Sequence, residues 1–110
     1  SGRPLVFVRG EVRPLGAAPV GVVHVRAEML DAGHVVARAE AVAGAVPTPE
    51  ELAALASRED QERLNAALAL RAPAHLAPGQ AAPFLASFLE PPADLSRVTF
   101  RVTAEAAPPR

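Results

Sequence analysis

The chain contains no cysteine, no lysine, no tryptophan and no tyrosine, and each absence closes off a kind of chemistry. Without cysteine there is no disulfide and no thiol nucleophile, although the redox compartment stays open. Every positive charge is an arginine and the formal net charge is -1, so no basic excess exists to neutralise a phosphate backbone and nucleic acid is not an expected partner. Aromatic residues are 4% of the chain and all are phenylalanine, which leaves no Trp or Tyr to line a sugar or nucleotide pocket. No apolar run approaches the ~20 residues that span a bilayer, so no direct membrane insertion is expected from this segment. The opening SGRPLVFV lacks the layout of a signal peptide. Ser1-Gly2 reads as a remnant of tag removal, and the expectation is a segment of a longer protein that is either soluble or anchored by sequence outside this chain.

What is present is strand pattern. At 110 residues the chain is long enough for one domain, 1–110, with a single core, and too short for two. Its organising stretch is Val20 to Val42. Val23, Val25, Ala27 and Met29 alternate with His24, Arg26 and Glu28, then Val35, Ala37, Ala39 and Ala41 alternate with Val36, Arg38 and Glu40. Period-2 alternation on both sides of Asp31-Ala32-Gly33 predicts a β-hairpin. A three-residue loop with Gly33 at positive φ sets Leu30 against His34, Met29 against Val35, Ala27 against Ala37 and Val25 against Ala39. One face is then wholly apolar. On the other, His24 opposes Glu40, and Arg26–Glu40 and Glu28–Arg38 are diagonal pairs of opposite charge.

The remaining pattern places a first strand at Leu5–Val12, with Gly10 requiring a bulge or a large close neighbour, and a loop at Pro14–Pro19. At Thr48 the period changes. Thr48-Pro49-Glu50-Glu51 carries a cap, a first-position proline and a third-position glutamate, and Ser57-Arg58-Glu59-Asp60 resembles a second cap. Leu52 and Leu55 lie nearly opposite Leu64 and Leu68 at about 100° per residue. Two helices, about 49–56 and 58–70, therefore fit better than one, each laying its apolar stripe on the same sheet region. Ala77-Pro78-Gly79-Gln80 predicts a type II turn with Gly79 at positive φ. Strands follow at Ala82–Leu89 and Leu95–Glu105, and the Pro-rich tail Ala106–Arg110 is expected to fray.

Five antiparallel strands with one helical excursion at about 48–70 predict a mainly β fold, a small β-sandwich with Greek-key connections. A curled sheet with the two helices across its open side is the alternative. The succession LVFVRGEV, AEMLDAGHVV, LAPGQAAPFLASF and a final Arg/Val/Thr strand resembles the bacterial FxLYD-type domains and the related uncharacterised domain that follows a zinc ribbon and a membrane helix. Val8, Gly10 and Val12 match the V-x-G-x-V of the opening strand. Leu76, Pro78, Gly79 and Phe84 match an L-x-P-G that precedes a Phe-containing strand, while Ala27, Met29, Leu30 and Asp31 stand where the FxLYD motif would be, without its aromatics. The resemblance implies an immunoglobulin-like antiparallel β-sandwich with a helical insertion, periplasmic or extracytoplasmic, forming the C-terminal part of an inner-membrane protein and having no known catalytic residues.

Direct signs of chemistry are few. Ser57, Ser87 and Ser96 sit in no nucleophile elbow and beside no histidine. Glu50-Glu51 and Glu59-Asp60 are simplest as first-turn charges that favour a helix dipole. The register above sets His24 and His34 about 20 Å apart at ~3.4 Å per residue, too far to share an ion. The reading is a non-catalytic module without cofactor or metal, monomeric alone, whose partner is another protein of the cell envelope. Its candidate interaction surface is the outward side of the insertion, Glu50, Glu51, Glu59, Asp60, Glu62 and Arg63, with Arg58 among them. A second surface is the sheet around Arg26, Glu28, Arg38 and Glu40. The alternative is a small-ligand-binding or enzymatic domain with its site between the insertion and the sheet.

Overall fold

The computed structural model describes residues 6–108, and they form a mainly β domain of two antiparallel sheets. In chain order the elements are β1 (Val6–Val12), β2 (Val23–Asp31), β3 (His34–Val42), α1 (Pro49–Ala53), α2 (Arg58–Arg71), β4 (Ala82–Phe88) and β5 (Val98–Ala106). β1 pairs with β4 in one sheet, and β3-β2-β5 is the order of the other. Leu5, Pro109 and Arg110 lie outside the described residues.

The central hairpin forms with a different register, and only beyond its tip do the side chains keep the expected pairing of faces. Its turn has two residues, Ala32 (φ 51°) and Gly33 (φ 83°), so Asp31 pairs with His34 and Leu30 with Val35. Two successive left-handed residues give the turn whose twist matches that of the flanking strands. The extra residue enters β3 as a bulge between Met29 and Leu30, beyond which Met29 faces Ala37, Ala27 faces Ala39 and Val25 faces Ala41. The expected partners are thus displaced by two residues over this part of the hairpin. Because the side-chain period is two, an even displacement leaves each side chain on its predicted face. Arg26–Glu40 and Glu28–Arg38 become directly opposed instead of diagonal, and His24 faces Val42 rather than Glu40.

The core is built between the inner faces of the two sheets. Val25, Ala27 and Met29 of β2 with Ala39 and Ala41 of β3 meet Phe84, Ala86 and Phe88 of β4, all buried, and Val6, Val8 and Val12 of β1 pack against them half-buried. The alanines on one side make room for the phenylalanines on the other, as close packing demands. Gly10 pairs with Phe84. A Cβ on it would come within 2.7 Å of the Phe84 ring, which identifies the large neighbour that its place in the strand required.

The two caps form as their sequences predict. Thr48 Oγ1 accepts from the Glu51 N–H while Glu51 Oε1 accepts from the Thr48 N–H, a complete capping box, and Ser57 Oγ accepts from the Asp60 N–H. α1 is shorter than expected and ends before Leu55; Leu52 within it and Leu55 after it are only half-buried and belong to neither core cluster. Only the α2 stripe reaches the sheet, where Leu68 closes a second cluster with Val42 and Ala45, flanked by Leu64. The reason is length: five residues are little more than one turn, too few to present a stripe.

The turn before β4 is as predicted. Gln80 donates to the Ala77 carbonyl (3.0 Å) with Gly79 at φ +78°. Two further expectations change. β5 starts at Val98, because Asp94 accepts from both the N–H and the hydroxyl of Ser96 and turns the chain there. The tail does not fray at its start: Ala107 donates to Val22 and accepts from Gly21 (2.9 Å each), which ties it to the run-in of β2.

Candidate interaction surface

The outer face of the β3-β2-β5 sheet is a charge ladder. Glu28 stands at its centre on β2, opposite Arg38 on β3 and Arg101 on β5. Arg101 donates to Glu28 Oε1 from Nε (2.9 Å) with its Nη2 2.8 Å from the same oxygen, and Arg38 Nε lies 3.4 Å from Oε2. Glu28 is buried while both arginines remain exposed. The Arg101 hydrogen bond holds the carboxyl below the usual carboxylate range against the upward push of burial, and the charges of Arg101, Arg38 and Arg26 act with it. The period-2 alternation of three neighbouring strands is what brings these residues onto one face.

α2 lies along the β3 side of this face and leaves a groove of about 160 Å³ between them, with Arg26, Arg38 and Glu40 on the sheet side and Arg58, Glu62 and Asn65 on the helix side. It continues past Arg38, Arg58 and Gln61 into a second hollow of about 220 Å³ towards Ser57 and Glu90. On the opposite side Arg26 and Glu40 also border a shallow hollow with His24, Thr103 and Glu105. One continuous charged surface therefore runs from α2 across the sheet to β5. Arg26, Glu40, Arg58 and Glu62 form no ion pair among the described residues, so their charges are free to meet a partner's. Guanidinium, carboxylate and amide groups hold a ligand by ion pairs and hydrogen bonds.

The candidate residues on the insertion divide into three groups. Glu51 is engaged by Arg71 (2.5 Å) and by the Thr48 N–H, and these contacts hold its carboxyl low, Arg71 foremost. Asp60 accepts from the Ala56 N–H (3.0 Å) and pairs with Arg63 (2.5 Å), and its carboxyl is held low in the same order of causes. These two carboxylates, with Arg63, hold the helix ends. Glu50 and Glu59 stand exposed in the first turns of α1 and α2, while Glu62 turns to the groove. Gln61 and Asn65 were not picked out by sequence reasoning. The signal available for them is the spacing Arg58, Gln61, Glu62, Asn65, a polar stripe at i, i+3, i+4 and i+7.

Gln61 also ties the insertion down, donating from Nε2 to the Ser87 carbonyl of β4 (2.6 Å). Among the described residues no three His, Asp or Glu side chains gather as metal ligands, and no helix is long and apolar enough to cross a membrane. Compared with protein-family models, with curated proteins and with solved structures, the chain finds no match.

Proposed function

We propose that this chain is a non-catalytic interaction module, an immunoglobulin-like β-sandwich on the extracytoplasmic side of a membrane-anchored bacterial protein, which holds another envelope protein on its charged face. The observation that carries the interaction reading is the groove between α2 and the sheet, where Arg26, Glu40, Arg58 and Glu62 converge without ion-pair partners among the described residues. Charges of both signs fixed on two rigid elements favour a polypeptide of matching pattern, and such a pattern contributes to specificity and association rate. The finer fold is supported by two antiparallel sheets sharing one core and by the strand motifs that resemble the FxLYD-type domains. Location and anchoring rest on that resemblance alone.

The test is capture from native bacterial membranes with the domain as bait, repeated with Arg26→Ser/Arg58→Ser and with Glu50→Ser/Glu59→Ser/Glu62→Ser. A partner recovered at ~0.1 M salt, weakened at ~1 M where the Debye length falls to about 3 Å, and lost with the arginine pair supports the groove. Recovery indifferent to both variants and to salt would remove the interface from this face. The second reading, a small-ligand or enzymatic domain with its site between insertion and sheet, draws on the same groove. Its two hollows of about 160 and 220 Å³ run together as an open groove lined mainly by charged and polar side chains, unlike the mostly apolar clefts that hold small ligands, and so the protein-binding reading is preferred.

A further inference from the structure

β5 ends its sheet: β2 takes one of its edges, and among the described residues no strand takes the other. The outward backbone groups can be identified from its bonds to the run-in of β2. Ala107 donates to Val22 and accepts from Gly21, so odd-numbered residues of β5 turn their N–H and C=O inward. Phe100, Val102, Ala104 and Ala106 therefore offer theirs to a newcomer. Edge strands are commonly blunted by proline, by a bulge or by a covering segment. β5 contains no proline and pairs with β2 through an unbroken register from Val98 to Ala106.

The side chains specify which strand would fit. Phe100, Val102 and Ala104 oppose Met29, Ala27 and Val25 on the inner face of the sheet. Those β2 residues are buried, yet Phe100 is 49% and Val102 44% exposed, because β4 lies along β3 and, among the described residues, reaches the β5 side chiefly through Phe88. On the outer face stand Arg101, Thr103 and Glu105. The three are symmetric about Thr103. Laid antiparallel to a second β5 with Thr103 facing Thr103, Arg101 meets Glu105 of the second copy twice over, Val102 meets Ala104, and Phe100 meets Ala106. Opposite charges and large-beside-small pairs each favour this pairing.

Backbone parity also permits centring on Val102 or Ala104, but those registers place Arg101 opposite Thr103 or Ala107 and lose the directly opposed ion pairs. Centring on Arg101 or Glu105 sets like charges against each other. Arg101 is already oriented, with Nε and Nη2 on Glu28 and Nη1 left for a second carboxylate. A two-fold axis normal to the sheet keeps inner faces on one side, so Phe100 and Val102 of both copies would share one trough between the two β1–β4 sheets.

We propose that β5 is a self-recognition edge, at which a second copy of this chain adds antiparallel about Thr103 to give a continuous sheet β3-β2-β5-β5-β2-β3. This surface is distinct from the α2 groove, and the proposal stands whether or not that groove binds a partner. It departs from the monomer expected of the sequence, since alternation within a strand does not say whether that strand has one neighbour or two.

Light scattering across a concentration series tests it with the whole chain, alongside two single-cysteine variants made possible by the absence of native cysteine. The expected result is a mass rising from 11.4 kDa to twice that value, with Glu105→Arg moving the midpoint at least about ten-fold higher, equivalent to ~1.4 kcal/mol. Under mild oxidation Thr103→Cys should cross-link to itself, since a non-hydrogen-bonded antiparallel pair has the Cα separation a disulfide needs, whereas Thr99→Cys should not. A single-chain mass up to about 1 mM, the weak end of specific affinity, would overturn the proposal. So would a midpoint indifferent to Glu105→Arg, or cross-linking as ready at Thr99→Cys as at Thr103→Cys.

Discussion

β4 and β5 both carry phenylalanine on their inward positions, and they live in opposite surroundings. β4 is buried on both faces from Phe84 to Phe88, while every residue of β5 after Val98 is exposed. The difference comes from their neighbours. β4 has β1 on one edge and β3 alongside on the other, joined at one end where the Gly44 N–H meets the Pro83 carbonyl (2.7 Å), and α2 reaches across to Ser87. β5 has only β2. Phe88 and Phe100 are a tilted aromatic pair 6.2 Å apart, yet the first is fully buried and the second half-exposed. One flank of the domain is thus a finished core and the other is open, and a strand's stabilising weight is set by which flank it occupies.

The sharpest way to break this contrast is to truncate both members of the aromatic pair. Phe88→Ala should cost about 3–5 kcal/mol by urea denaturation, as core phenylalanines do. Phe100→Ala, measured at high dilution, should cost less than half as much because much of its side chain already faces water. Equal losses would mean that the β5 flank is as buried as the β4 flank.

Next in size are two glycines that serve the β1–β4 sheet. Gly10→Val would drive a side chain into the Phe84 ring and should cost about 1–3 kcal/mol through overpacking. Gly79→Val meets no crowding but must hold φ near +78°, and should cost about 1–3 kcal/mol through backbone strain. Gly16→Ala, with open space around it and no positive φ, supplies the reference and should change the urea midpoint little.

A smaller effect is expected at the cap of the helix that closes the β4 flank. Ser57→Ala removes the acceptor for the Asp60 N–H and should lower stability by about 1 kcal/mol. If hydrogen exchange then quickened on β5 and not on β4, the assignment of α2 to the closed flank would fail.

The smallest effect bears on the outer face. The folded-state pKa of Glu28 is depressed, with the Arg101 hydrogen bond as the foremost cause. The stability it contributes is therefore complete above the ordinary carboxylate range and is lost as the pH falls through the lower, folded value. Thermal melts of Glu28→Gln should lose less on acidification than those of the parent chain. A parent and variant that lose stability in parallel would show that the Arg38–Glu28–Arg101 triad contributes nothing measurable.

Much of this architecture could be read locally. Alternation placed Val25, Ala27 and Met29 inward and Arg26 and Glu28 outward, Thr48 and Ser57 announced their caps, and Pro78-Gly79 announced its turn, since each depends on a few adjacent residues. The hairpin register is not legible in the sequence, because two- and three-residue loops compete within the same stretch and a bulge can absorb the difference. On the insertion, helical spacing alone puts Glu50, Glu51, Glu59, Asp60, Glu62 and Arg63 on one outward surface. In the fold Glu51 and Asp60 are engaged by Arg71, Arg63 and backbone N–H groups, contacts that depend on how the two helices meet.

By itself the sequence determined that there are five alternating strands, where both helices start and that Gly33 and Gly79 take positive φ, because each is set by side-chain period or backbone sterics within a few residues. Tertiary structure alone decided that β4 lies beside β3, that α2 spans that side and leaves a charged groove, and that β5 has one edge which no strand among the described residues takes. Those outcomes depend on which amphipathic surfaces find one another across the chain. A half-buried strand and an open one share the same alternating pattern until their neighbours are known.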